Sequence, residues 1–361
     1  MSDRPKLEIL DALRGFCALI VVLLHFTENY AVRGVSAVVP HGYLPVEYFF
    51  ILTGFTFVYA YDGRWGDGLT VWRFFRRRLR RMHPLVIAGS FVGLLACLIA
   101  PRLYTPQFPR ELGIGELLVL FLWCCTLLPA PKSLGWTLMH PLQGPLWTMF
   151  YIYVANVAYA LVLRRLRTRA LIALAVAAAG LTYWFAFRYK AFTYGPQWSG
   201  RQIGGAFVRL AFPVFAGMVI ARKGWRIRLG DAALWVCIAI LSAVFFAPMA
   251  VPKTVQNGMF EASFVVLALP LVLMIGAGGT ISNPRLASVC RFLGAYSFPL
   301  YATHYPLTIL NRIWISSHAD ALFVRHLAVA GAFAAGAFLV GWLTMAIVAR
   351  IEQMIQLTET K

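Results

Sequence analysis

Two ionisable side chains stand in a run of residues that should avoid them. Leu7 to Thr27 reads LEILDALRGFCALIVVLLHFT, an apolar stretch of membrane-spanning length with Arg14 near its start and His25 near its end. At about 100° per residue, eleven positions return within about 20° of the same helical face, roughly 16 Å further along the axis. Both groups therefore look toward one groove at different depths. Ionisable residues within a membrane are costly, which makes the pair a functional-site hypothesis. A guanidinium anchors a phosphate or carboxylate, and a neutral imidazole takes a hydroxyl proton near pH 7. Each also has a plainer reading. Arg14 can snorkel to headgroups while pairing with Asp11 one turn earlier, and His25 can hydrogen-bond a neighbouring helix. Glu28 and Glu47 are the acids placed to orient His25.

Further residues fit the same groove. Glu47 lies near the outer end of Val46 to Phe55. Thr53 and Gly54 follow it, and read by themselves as a close helix–helix contact. Phe74 to Pro84 (FFRRRLRRMHP) carries Arg78 and Arg81. It reads as a stop-transfer cluster, and beside a groove also as a patch that recruits a polyanion such as coenzyme A. Arg209 sits in an apolar segment without a local acid, so it pairs with an acid from another helix or lines the groove. Tyr301 and His304 share one helical face. With Trp147, residues 78, 81, 209, 301 and 304 are the expected substrate-binding set, and His25, Arg14, Glu47 and Thr53 the expected catalytic set.

Membrane helices must position these residues. Of 361 residues 60% are hydrophobic and 13% charged, with mean hydropathy +0.71. Continuous apolar runs without period-two alternation point to an all-α polytopic membrane protein and away from a barrel. The net charge of +19 comes from short clusters between apolar runs, the pattern of cytoplasmic loops, and does not indicate nucleic acid. The six cysteines form no CxxC pair and read as small buried hydrophobes. The first apolar run is not followed by a small-residue cleavage site, so it is expected to remain as a helix.

Eleven apolar segments can be drawn: 9–29, 43–61, 84–100, 114–129, 145–163, 170–187, 203–221, 231–248, 260–278, 292–312 and 326–349. Basic clusters at Arg64–Arg81, Arg164–Arg169, Arg222–Arg228 and Arg285–Arg291 should all be cytoplasmic. That parity requires one segment not to cross. Segment 114–129, short and flanked by Pro109, Pro129 and Pro131, is assigned as re-entrant or interfacial. The expectation is about ten transmembrane helices in one domain spanning 1–361, with a core of about 7–349 and both termini cytoplasmic.

LDALRGFCALIVVLLHF resembles the opening signature of membrane-bound acyltransferase family 3. YFFILTGF is similar to that family's FFxxSGF segment, and Arg78-x-x-Arg81 before Pro84 to its arginine motif. PLWTMFYIYVANVAYAL resembles its WSLxxE helix, and LGAYSFPLYATHYP its closing SYxxYxxHxP segment. The matches run in the family's order over nearly the whole chain. The resemblance implies a ten-helix domain in a bacterial inner membrane. It implies transfer of an acyl group, often acetyl, from cytoplasmic acyl-CoA to a hydroxyl of a carbohydrate, lipid-linked glycan or other envelope molecule. Acyl-CoA is then a donor substrate, and no cofactor or metal is held permanently. His25 matches the essential histidine, Arg14 the essential arginine, and Arg78 and Arg81 the arginine pair. Two positions depart: Thr53 replaces serine but keeps the hydroxyl, and Ile152 stands where the family usually has Glu. On this reading His25 is general base or acyl relay, and Thr53, Tyr301 or His304 donates to the oxyanion. The competing readings are a secondary transporter or flippase for an anionic lipid-linked glycan, and a catalytically silent family member.

Overall fold

The computed structural model describes residues 7–28, 38–100, 112–249, 254–318 and 323–359. Its helices are α1 (Glu8–Thr27), α2 (Pro45–Tyr61), α3 (Val71–Ile99), α4 (Ile114–Cys125), α5 (Leu146–Leu161), α6 (Thr168–Tyr189), α7 (Gly200–Lys223), α8 (Ala232–Phe245), α9 (Val255–Ser263), α10 (Leu269–Gly278), α11 (Pro284–Thr303), α12 (Tyr305–Ser317) and α13 (Phe323–Glu359). A five-residue π-helical segment, Phe264–Ala268, joins α9 to α10. The extended backbone is limited among the described residues to one isolated bridge, Leu138 with Gln197. The all-α polytopic architecture expected from the sequence is the one observed.

Among the described residues six helices are long and apolar enough to cross a membrane: Glu8–Thr27, Val71–Ile99, Thr168–Tyr189, Gly200–Lys223, Val255–Gly278 and Val324–Ile351. Their outward faces stay apolar. Val176 on α6 is 68% exposed, and Leu339 and Ile347 on α13 are also exposed, which suits lipid as the solvent. The 12 residues of α4 extend about 18 Å, well short of a hydrocarbon core of roughly 30 Å. Pro109, the upstream flank of that segment, lies outside the described residues.

Two boundaries differ from the sequence reading. The arginine-rich stretch expected as loop before 84 is helical. Thr70 caps α3, its hydroxyl accepting from the Arg73 amide 3.2 Å away, and the helix runs on through Pro84. Arg78 and Arg81 thus project from a rigid helix rather than a loop. The segment 292–312 is two helices that meet at His304. Pro306 has no N–H to bond back into α11 and disfavours helical geometry in the residue before it.

Close approaches fix the centre. α2 lies inside the bundle, with most of its residues buried. A Cβ on Gly54 would overlap the Val214 carbonyl of α7, and one on Gly217 would overlap the Ile51 carbonyl of α2, so both glycines are needed where these backbones touch. α1 lies equally close along α11, where Gly15 meets Leu293 and Gly294 meets Asp11. The Thr53-Gly54 step therefore is the close helix contact that its composition suggested.

Candidate active site

The α1–α11 seam carries one cluster of ionisable side chains at each end. At the first end a cleft of about 350 Å³ opens between α1, α2, α3, α11 and α13, lined by Arg14, Thr53, Tyr61, Arg78, Arg81 and Phe298 among others. The basic clusters gather around this end. Arg222 donates to Asp62 (2.9 Å) and to the carbonyls of Arg164 and Leu166, Arg226 donates to the Ala277 carbonyl, and Arg291 pairs with Glu8.

The arginines of the cleft differ in their partners. Arg14 donates from Nε to Ser297 Oγ (3.0 Å) and from Nη2 to the Gly294 carbonyl (2.5 Å), and it pairs with Asp11 at 3.1 Å. Its guanidinium stands 5.5 Å from the Phe298 ring centroid. The Asp11 pairing and the groove-lining role hold together. Arg78 is 9% exposed and donates through Nε to Asn156 Oδ1 at 2.7 Å, with its guanidinium over Phe57. Among the described residues neither Arg78 nor Arg81 has a carboxylate partner, whereas Arg14, Arg209, Arg222 and Arg291 each have one. Two charges without a carboxylate counter-ion among the described residues, Arg78 buried and Arg81 exposed at the cleft, leave it favourable to a bound anion.

At the other end, His25 Nδ1 lies 3.0 Å from Glu28 Oε1, and Arg312 approaches the same oxygen at 3.5 Å. A carboxylate only accepts, so Nδ1 carries the hydrogen and Nε2 presents a lone pair. The His25 ring stacks on His304 (centroids 5.4 Å, 26°) and meets Tyr305 edge-on at 5.1 Å. Glu28, not Glu47, orients the histidine, and Arg312 and Tyr305 are contacts that the sequence reading missed. Arg312 was hidden because it lies 284 positions from Glu28 and beyond the break at His304.

Both clusters share helix faces. On α1, residues 14, 18, 21 and 25 repeat every three or four positions, as do 294, 298, 301 and 305 on α11 and the start of α12. Phe49 belongs to the cleft, and its ring lies 5.5 Å from Tyr301, which lies 5.9 Å from His304. A row of side chains thus connects the cleft to His25.

The three expected oxyanion donors already have acceptors. Thr53 Oγ1 donates to the Phe49 carbonyl at 2.7 Å. Tyr301 Oη lies 2.9 Å from Thr148 Oγ1 and 3.4 Å from the Pro145 carbonyl, which Thr148 Oγ1 also reaches at 2.9 Å, so whichever hydroxyl donates to the other, the Tyr301 hydrogen has an acceptor. His304 Nδ1 faces the carbonyls of Tyr301 (2.9 Å) and Leu300 (3.2 Å). That nitrogen must hold the hydrogen, and Nε2 is an acceptor. In this arrangement none of the three offers a hydrogen to an oxyanion.

Glu47, Arg209 and Trp147 form a separate structure. Arg209 grips Glu47 with two bonds (Nε–Oε1 2.5 Å, Nη2–Oε2 3.1 Å), donates to the Tyr194 and Tyr43 carbonyls, and lies over Trp147 at 5.2 Å. Both ions are buried, and this is the pairing with an acid from another helix that the sequence left open. A second buried acid escaped sequence reading. Glu261 accepts from Tyr43, from Asn257 (2.7 Å) and from the Phe192 amide (3.0 Å), with His41 Nδ1 at 3.2 Å. A lone Glu in an apolar run was the available signal. Ile152 is 2% exposed in an apolar cluster, and its carbonyl accepts from Asn156 Nδ2 at 2.7 Å. Among the described residues no three His, Cys, Asp or Glu side chains converge as a metal set would.

A family model described as an acyltransferase domain, Acyl_transf_3, matches residues 7–348. The chain belongs to that acyltransferase 3 family, and is a membrane acyltransferase by membership. It is also similar to Protein 2 in picA locus of Rhizobium radiobacter, 31% identical over 167 residues that cover 44% of this chain and 85% of that protein. No solved structure matches.

Proposed function

We propose that the protein moves an acyl group, acetyl in the simplest case, from acyl-CoA to a hydroxyl of an envelope or exported carbohydrate across a bacterial inner membrane. The observation that carries this reading is the division of the α1–α11 seam into an anion cleft with Arg78 and Arg81 unpaired by acids, and a carboxylate-oriented His25 at its other end. The basic end faces the cytoplasm, following the positive-inside rule. Phosphates of the donor sit on Arg78 and Arg81 beside Arg14, and the pantetheine arm carries the thioester along the seam toward His25.

There, His25 Nε2 takes the proton of the acceptor hydroxyl as its oxygen attacks the thioester carbonyl. The tetrahedral intermediate collapses with cleavage of the C–S bond. The departing thiolate takes the proton from the imidazolium, giving an ester and free CoA. Glu28 fixes the tautomer and supports the transient positive charge. His25 then acts as general base, and no acyl-histidine is required.

The test is CoA release from acetyl-CoA by the full chain in liposomes with crude envelope glycans. We expect release by wild type and a loss of at least 100-fold in His25→Ala. In Arg78→Ala and Arg81→Ala, KM for acetyl-CoA should rise more than kcat falls. Activity in His25→Ala at the wild-type level would remove the histidine from the mechanism.

A further inference from the structure

Among the described residues several buried polar atoms near the end of α11 have no hydrogen-bond partner, including Gln143 Oε1, both side-chain atoms of Asn311 and one nitrogen of His304, and of these residues only His304 stacks on His25. His304 is fully buried, and its Nε2 has no hydrogen-bond partner. The backbone fixes its state: carbonyl oxygens of Leu300 and Tyr301 face Nδ1 at 3.2 and 2.9 Å, so Nδ1 carries the hydrogen and Nε2 is a lone pair. An unsatisfied buried acceptor is costly unless something donates to it. His304 is also not an isolated core residue, since its ring stacks on His25 with centroids 5.4 Å apart.

From this pairing we infer that His304 Nε2 is an acceptor-binding site, receiving a hydrogen bond from a second hydroxyl of the molecule whose first hydroxyl is deprotonated by His25. The inference rests on the proposed role of His25 and adds a specificity-determining residue: His304 reads a neighbouring hydroxyl of the acceptor. Two imidazoles locked in the same tautomer, one by a carboxylate and one by carbonyls, present two lone pairs and no N–H. Such a surface matches a diol, which brings two donors, and discriminates against an alcohol with only one. A monohydroxylic alcohol on His25 leaves the buried His304 lone pair unpaired, and that kind of mismatch gives strong selectivity.

Two measurements on the full chain in lipid nanodiscs test the inference. The first is nitrogen NMR of ¹⁵N-histidine protein, with His304→Phe assigning the resonance. We expect His304 as the Nδ1–H tautomer, with an Nε2 signal that moves on adding methyl glucoside and stays in place with cyclohexanol. The second is acetyl transfer from acetyl-CoA to the same two alcohols. The ratio of kcat/KM for glucoside over cyclohexanol should fall about 10-fold or more in His304→Phe and recover in His304→Gln, which returns an acceptor oxygen. An Nε2–H tautomer, or a signal that the glucoside leaves unmoved, overturns the inference, the latter pointing to bound water. A selectivity unchanged in His304→Phe overturns it as well. Turnover retained in His25→Ala would instead defeat the proposed base while the NMR result still decides the state and contact of His304.

Discussion

At the residue scale, the arrangement around His25 separates orientation from binding. Glu28 touches the imidazole and has no part in the cleft, so Glu28→Gln should lower kcat by about 10-fold with KM for acetyl-CoA unchanged, measured by steady-state CoA release. Asn156 acts on the other end. It holds Arg78 from a neutral oxygen, and Asn156→Asp would introduce the missing counter-ion. If the proposed donor site is right, the expected outcome is weaker acetyl-CoA binding, read as a higher KM, because the carboxylate competes with the phosphates of the proposed donor. Ile152 occupies an apolar site beside this pair. A carboxylate there loses its water among apolar side chains, and Ile152→Glu should destabilise the fold by roughly 3–5 kcal/mol unless it reaches Arg78. Thermal unfolding in detergent checks this, with Ile152→Leu as a near-neutral control.

At the element scale, the geometry of the proposed site depends on helices brought into backbone contact. Gly54→Val would force α2 away from α7, where the Val214 carbonyl fills the space of the new side chain. A fall in melting temperature is expected with a loss of activity, since Thr53 and Phe49 line the cleft from the same helix. The connection before α5 has its own pH dependence. His140 is buried, with Nε2 donating to the Leu127 carbonyl at 3.0 Å. Burial pushes its imidazole down to about 4, against the smaller opposing pull of that hydrogen bond. The unfolded chain then binds more protons than the folded one between the ordinary histidine value near 6.5 and about 4. Stability from this residue is complete above that window and is lost as pH falls through it. Melting temperatures of wild type and His140→Gln should converge as pH drops from 7 to 4.5.

At the scale of the whole molecule, charges are sorted along the bundle. Among the described residues Arg78 and Arg81 stand at the cleft end without a carboxylate partner, while the other end buries Arg209 with Glu47 and Glu261 with His41. Removal of one partner leaves a buried ion alone, so Glu47→Leu and Arg209→Leu should each destabilise by roughly 3–5 kcal/mol. The double variant should unfold at a higher temperature than either single one, because it leaves neither ion behind.

The sequence alone determined the helical membrane character, the two-ended groove face of α1 and the family. These follow from local quantities: hydropathy over a span length, a helical period, and motifs within short windows. Tertiary structure decided what the ionisable groups do. Glu28 and Glu47 were equal choices for His25 until the packing of α2 on α7 carried Glu47 to Arg209. Arg78 and Arg14 looked alike as anion anchors, yet among the described residues only Arg14 meets a carboxylate. The state of His304 depends on carbonyls exposed where α11 stops, and its importance on a stacking partner 279 positions away. Such pairings connect residues far apart in the chain, and only three-dimensional packing selects them from many combinations of equal local quality.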